Sequence, residues 1–142
     1  MIVKEIGLSE NQAMLHQILE QHQIERTGHK SEKSDMVSFC LTINHEYAGG
    51  VVAKKTGNRL HISLLGVSPQ HRHKGYGETL IKRMEQEARN NNCRHVTVNT
   101  QDFQGLSFYQ KLGFHIFGEI KDCPYEGTTK YYLLKELTEE KS

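Results

Sequence analysis

The sequence predicts an α/β (α+β) domain: one mixed, largely antiparallel sheet of about seven strands, flanked by helices. Three observations carry this. Short β-branched and aromatic runs separated by Gly, Asn and Asp recur along the chain. Stretches with apolar residues at helical spacing interrupt them near the start and in the second half. The chain also has 142 residues, the size of a single domain, and can bury a core without disulfide or metal staples.

Taken in order, Ile2-Val3-Lys4-Glu5-Ile6 is a short strand ended by Gly7. Ser9 is an N-cap candidate and Gln12 completes a capping-box pattern. Met14, Leu15, Ile18 and Leu19 then predict a helix of about four turns running toward Arg26. The polar stretch around Gly28 to Lys33 is a loop. Residues 37–43, 48–53 and 60–67 are three strands, joined by turns at Asn44-His45-Glu46 and Gly57-Asn58. After a polar loop, Pro69 to Lys74, a helix begins near Gly75. It sets Leu80, Ile81, Met84 and Ala88 on one face and Lys82, Arg83, Glu85 and Gln86 on the other, and Asn90-Asn91-Asn92 stops it. Residues 96–98 form a short strand, and a second short helix spans 104–112 before Gly113. Residues 114–117 and 131–134 supply the last two strands. No repeat or linker divides residues 1–142, so one domain is expected.

Charge narrows the function. Lys+Arg 18 against Asp+Glu 17 leaves a formal charge of +1, without the basic excess of a dedicated nucleic-acid binder. Three cysteines, Cys40, Cys93 and Cys123, form no C-x-x-C pair, which argues against a zinc ribbon or thioredoxin motif and suits a reducing cytoplasm. No apolar run has the length of a membrane span.

The stretch Ser68-Pro69-Gln70-His71-Arg72-His73-Lys74-Gly75-Tyr76-Gly77-Glu78 joins a strand to an amphipathic helix. A glycine-rich turn there can expose successive N–H groups at the positive end of the helix dipole, a setting that favours phosphate. Gly75 and Gly77 open the main chain to a ligand, and Arg72, His73 and Lys74 add positive charge. The bland alternative is a basic surface loop. A Walker loop is excluded because Lys74 precedes the glycines. A dinucleotide fingerprint is excluded because Leu80 stands where its third glycine belongs, and no parallel βαβ run is expected around it.

The loop resembles the acetyl-CoA pyrophosphate loop of the GNAT N-acetyltransferase superfamily, Gln/Arg-x-x-Gly-x-Gly/Ala, which Arg72-His73-Lys74-Gly75-Tyr76-Gly77 matches at every fixed position. Downstream, Gly105-Leu106-Ser107-Phe108-Tyr109-Gln110-Lys111-Leu112-Gly113-Phe114 resembles the family's Ala-x-x-x-Tyr-x-Lys-x-Gly-Phe segment. The two blocks lie in the family's order, one helix and one strand apart. Asp102 stands where many members have Asn, and Gly105 where they have Ala.

The resemblance implies direct transfer of an acetyl group from acetyl-CoA to a primary amine of a small molecule or peptide, with no metal. That chemistry needs a pyrophosphate cradle, an oxyanion donor, a base and an acid. Backbone N–H groups from Arg72 through His73, Lys74, Gly75, Tyr76 and Gly77 to Glu78 are the implied cradle. Leu65-Gly66-Val67 lies where the family binds pantetheine and the acetyl carbonyl through main-chain bonds. Gly66, unusual inside a strand, fits a bulge or the close approach of a ligand, with a plain packing glycine as the alternative.

Tyr109 occupies the position of the family's general acid; the alternative is a packing role beside Phe108. Among nine histidines, His61 lies fourteen positions before Gly75, about where several relatives carry a glutamate base. The alternative is a sheet-surface histidine of no catalytic use. His71-x-His73 lacks a nearby carboxylate or cysteine to complete a metal site. A non-catalytic acyl-CoA-binding sensor is the second functional reading, and a homodimer is compatible with either. The family's acceptor groove corresponds to residues 22–36 and 122–129. The mixed charges there (Glu25, Arg26, Lys30, Glu32, Lys33, Asp35) select no amine class.

Overall fold

Pairing partners decide which β-prone segments become strands. The computed structural model describes residues 1–31, 33–101 and 103–138. Its element order is α1 (Leu8–Thr27), β1 (Ser34–Ile43), β2 (Glu46–Thr56), β3 (Arg59–Val67), a 3₁₀ turn (Pro69–His71), α2 (Tyr76–Asn90), β4 (His95–Thr100), α3 (Phe103–Lys111), β5 (His115–Lys121) and β6 (Thr129–Glu136). By contacts the chain divides into two units, Met1–Lys33 and Ser34–Ser142.

In the first unit the expected strand at residues 2–6 does not form; α1 is its regular element. Five residues of β propensity make a strand only when a ladder partner takes their backbone groups. The helix also starts earlier than the capping-box pattern indicates. Gly7 is the N-cap, with no side-chain cap bond, so Ser9 lies inside the first turn. Its end is as read: Gly28 adopts φ 74° and returns its N–H to the Ile24 carbonyl.

The second unit is a six-stranded sheet in the order β1-β2-β3-β4-β6-β5. Every pairing is antiparallel except β3 with β4. That exception corrects the sequence reading. β3-α2-β4 is a parallel βαβ unit around the glycine loop, because a helix-length crossover lets successive strands run the same way. The dinucleotide fingerprint stays excluded by Leu80, which is buried in the core.

Alternation along the strands puts Val51, Ala53, Leu60, Ile62, Val96, Val98 and Leu133 on one face, buried under Leu80, Ile81, Met84 and Ala88 of α2 and Tyr109 of α3. Arg83 reaches from α2 over the Phe39 ring of β1, 4.1 Å from its centroid. Glu85 departs from the expected polar face. It is only 7% exposed, held by Lys135 Nζ at 2.8 Å on β6 and by Arg89 at 3.9 Å. A carboxylate tolerates that burial because it is paired and hydrogen-bonded.

Candidate functional site

The site begins at a bulge. Val52 opposes Leu64 and Ala53 opposes Ile62, which leaves Ser63 as an extra residue in β3. β3 pairs with β4 only as far as Ile62 opposite Val98. Beyond that point the strands part. From Leu64 to Val67 the β3 backbone has a ladder partner on its β2 side alone, so one edge keeps N–H and C=O groups outside the sheet ladder. The parting opens a cavity of about 360 Å³ lined by Ser63, Leu64, Leu65, Val98, Asn99 and, from α3, Gly105, Phe108 and Tyr109. The bulge expected at Gly66 therefore sits at Ser63. Gly66 is regularly paired opposite Gly50, and a Cβ built on it would meet no atom within 4 Å.

The loop after β3 supplies the second part. His73 and Gly75 both adopt left-handed backbone, φ 63° and 81°, which curls the chain ahead of α2. The Arg72 guanidinium Nε donates to the Val67 carbonyl at 3.1 Å, and His71 Nδ1 lies 2.8 Å from the Ser68 hydroxyl. The first N–H within this turn returned to the protein from the helix side is that of Thr79, to the Gly75 carbonyl at 3.1 Å. Among the described residues the N–H groups from His73 to Glu78 take no protein acceptor. Several orphan donors, a helix N-terminus and flanking Arg72 and Lys74 together have the chemistry that suits an anion.

The two glycines differ in purpose. A Cβ on Gly75 meets nothing, so the requirement there is its positive φ and an open ligand side. A Cβ on Gly77 would come 3.2 Å from Phe108 Cζ; that glycine lets α2 seat against α3. Gly105 likewise has a packing reason, since a Cβ there would collide with the Thr100 side chain. Asp102 lies outside the described residues, as does Glu32 of the charge pattern.

Tyr109 is fixed from three sides. α3 ends in paired bonds from Gly113 N–H to the Gln110 carbonyl and from Phe114 N–H to the Tyr109 carbonyl, each 3.1 Å. This closure lays the Phe114 ring 5.4 Å from the Tyr109 ring, edge to face, with Phe108 at 5.0 Å on the other side. The phenol is 7% exposed, and burial pushes its pKa up to about 12. Its hydroxyl makes no hydrogen bond to a described residue.

His61 sits apart from Tyr109. Leu60 and Ile62 point into the core, so His61 projects from the opposite sheet face. There its Nδ1 lies 2.8 Å from the Thr97 hydroxyl. Burial first, then the charges of Arg59 and Lys130, hold its pKa below 6.5. Thr97 was not foreseen, since it meets His61 only through the parallel register of β3 and β4. The structure thus gathers Leu65, Phe108 and Tyr109 around one cleft, with Gly77 of the loop seated against Phe108 and His61 on the reverse side of β3.

Among the described residues no His, Cys, Asp and Glu side chains cluster as a metal site, and no helix is long and apolar enough to cross a membrane. A larger open hollow, about 1230 Å³, lies at the far end of α2 between Cys93, Arg94 and Glu136, away from the loop.

Comparison with known proteins agrees with this arrangement. The family model described as "Acetyltransferase (GNAT) domain" matches residues 3–122. A blasticidin-S acetyltransferase of Streptomyces morookaense is 41% identical over 93 residues, 65% of this chain and 68% of that protein. A crystal structure of an acetyltransferase from Bacillus cereus superposes with a TM-score of 0.83 at 25% identity, covering 96% of this chain and 98% of that one. A proposed streptothricin acetyltransferase of Bacillus anthracis, solved in complex with acetyl coenzyme A, shares the fold with a TM-score of 0.68 at 24% identity over 75% of this chain and 65% of that one. The cradle ahead of α2, the parted strands and the family match over most of the chain meet in one conclusion: this chain belongs to the GNAT acetyltransferases.

Proposed function

We propose that this acetyltransferase moves an acetyl group from acetyl-CoA directly to a primary amine of a small molecule or peptide. The observation that carries the reading is the parting of β3 from β4 beside a loop of unpaired N–H groups. One site then offers a phosphate cradle and a free strand edge in continuity. The N–H groups from His73 to Glu78 receive the pyrophosphate, that of Arg72 being already given to the Pro69 carbonyl at 3.4 Å, and the open β3 edge at Leu65, Gly66 and Val67 receives the pantetheine amides as an added strand would.

The amine nitrogen attacks the acetyl carbonyl. A C–N bond forms and the C–S bond breaks; the ammonium proton leaves to His61 directly or through water, and the leaving sulfur takes a proton from Tyr109. The opposed placement suits this division. Cofactor contacts and Tyr109 lie on the α3 side of the gap, and His61 lies on the other, so amine and thioester meet through the parted strands. The family match spans both units, which supports reading residues 1–142 as one functional domain working in the cytoplasm. The antibiotic-acetylating relatives support a small-molecule amine.

Thermal shift with acetyl-CoA, followed by thiol release across a panel of amines, tests the proposal. A shift with turnover supports it. A shift without turnover of any amine favours the acyl-CoA sensor, and a folded protein with no shift removes both.

A further inference from the structure

On the sheet face that carries His61, three cations stand without an anionic partner. Lys54 is the direct cross-strand neighbour of His61, and Arg59 lies two residues before it on the same face. Lys130 comes from β6. Its face follows from the ladder: Thr97 opposes Leu134 and Asn99 opposes Tyr132, so Lys130 shares their side and lies two residues further toward the end where β3 and β4 part. No described residue forms an ion pair with any of the three. Lys130 rests its ammonium 5.4 Å from the Tyr132 ring centroid, an interaction that leaves the charge available.

Carboxylates are scarce at the described strand positions of this face. Among its described strand positions the single one is Glu136, opposite His95 at the far end of β4. The strand residues nearest His61 on this face therefore carry charge of one sign. An alkyl diamine brings a second positive charge into that field and is repelled. An amine that also carries an acid group is drawn in and oriented.

We infer that the acceptor is an amine bearing a carboxylate or phosphate, and that Lys130 receives this anionic group while the amine faces the gap between β3 and β4. The inference rests on the acetyltransferase reading above and adds the charge class of its acceptor. The field of Arg59 and Lys130 is felt at His61, in keeping with cations close enough to act on a group bound there.

The test compares three four-carbon amines that share one reacting end: 4-aminobutyrate, butylamine and putrescine. The full chain is assayed by thiol release from acetyl-CoA at about 0.05 M salt. Expected is kcat/KM highest for 4-aminobutyrate, up to about fivefold over butylamine, as one exposed ion pair allows, and lowest for putrescine. The preference should shrink at about 0.5 M sodium chloride, where exposed charges are screened. Lys130→Glu should invert the order of 4-aminobutyrate and putrescine, with Lys54→Glu acting in the same direction, while the thermal shift by acetyl-CoA is retained. A wild-type order that favours putrescine, an order unmoved by both variants, or acetyl-CoA binding with none of the three acetylated overturns the inference. Absence of any acetyl-CoA shift overturns the parent reading instead.

Discussion

Tyr109→Phe isolates one atom. The ring keeps its edge-to-face contacts with Phe108 and Phe114, and no described partner is orphaned because the hydroxyl bonds to none. The fold should lose less than about 1 kcal/mol, since only an unpaired hydroxyl is withdrawn. Catalysis should suffer more. With its pKa up at about 12, the phenol is a weaker acid than a thiol near 8.5, so full transfer to a free thiolate is uphill by roughly 5 kcal/mol. Under the proposed mechanism, Tyr109 would therefore act by hydrogen-bonding the sulfur and releasing its proton only as the C–S bond breaks. That places its contribution at the low end of general-acid effects, about 100-fold.

Steady-state thiol release on an efficient amine should show kcat reduced by about that factor, with the acetyl-CoA thermal shift unchanged. The same shift gives a stability signature. A phenol raised from 10.0 to about 12 by folding stays protonated in the folded chain while the unfolded chain ionises. Stability from this group is present below pH 10 and is lost as pH rises toward 12, by about 3 kcal/mol at the limit. Denaturant titrations at pH 9 and pH 11 should show wild type losing more than Tyr109→Phe. Wild-type kcat in the variant, or parallel losses with pH, would refute the reasoning.

Three further expectations follow from the same geometry. Gly75→Asp tolerates the φ of 81° better than most substitutions and meets no neighbour, so the protein should fold while its carboxylate repels the pyrophosphate; a retained acetyl-CoA thermal shift would count against the cradle. For His61, kcat/KM should rise with pH through an inflection below 6.5, following its lowered pKa, and the inflection should vanish in His61→Gln. An inflection that follows the pKa of the amine from substrate to substrate assigns it to the amine. Because folding depresses this pKa, His61 costs stability as pH falls below 6.5, and urea melts at pH 5 should show His61→Gln relatively more stable than at pH 8. Glu85→Gln breaks a pair with the Lys135 ammonium at 2.8 Å; Lys135 keeps some water access, so a loss of roughly 3 kcal/mol in urea titration is expected, the low end for a buried pair.

What the sequence determined alone was everything whose cause is local. Helix α2 was legible because Leu80, Ile81, Met84 and Ala88 recur at its own period, and the end of α3 because Gly113 supplies the left-handed residue its cap needs. The glycine loop was legible for the same reason: its turn is built from contiguous backbone, so Arg72 to Gly77 carries its whole pattern in six residues. Tyr109 came with such a block.

The rest depended on which segments become neighbours. The extra residue Ser63, the end of pairing at Ile62 and Val98, and hence the gap itself exist only between strands. Glu85 reads as a polar-face residue until Lys135, fifty positions on, arrives beside it. Residues 2–6 have strand composition and no strand. His61 shows the divide within one side chain: its place before the loop is written in the chain, but its bond to Thr97 and its position across the sheet from Tyr109 come from register. Hydrogen-bond ladders and burial are settled by the whole sheet at once, and no local stretch of sequence contains them.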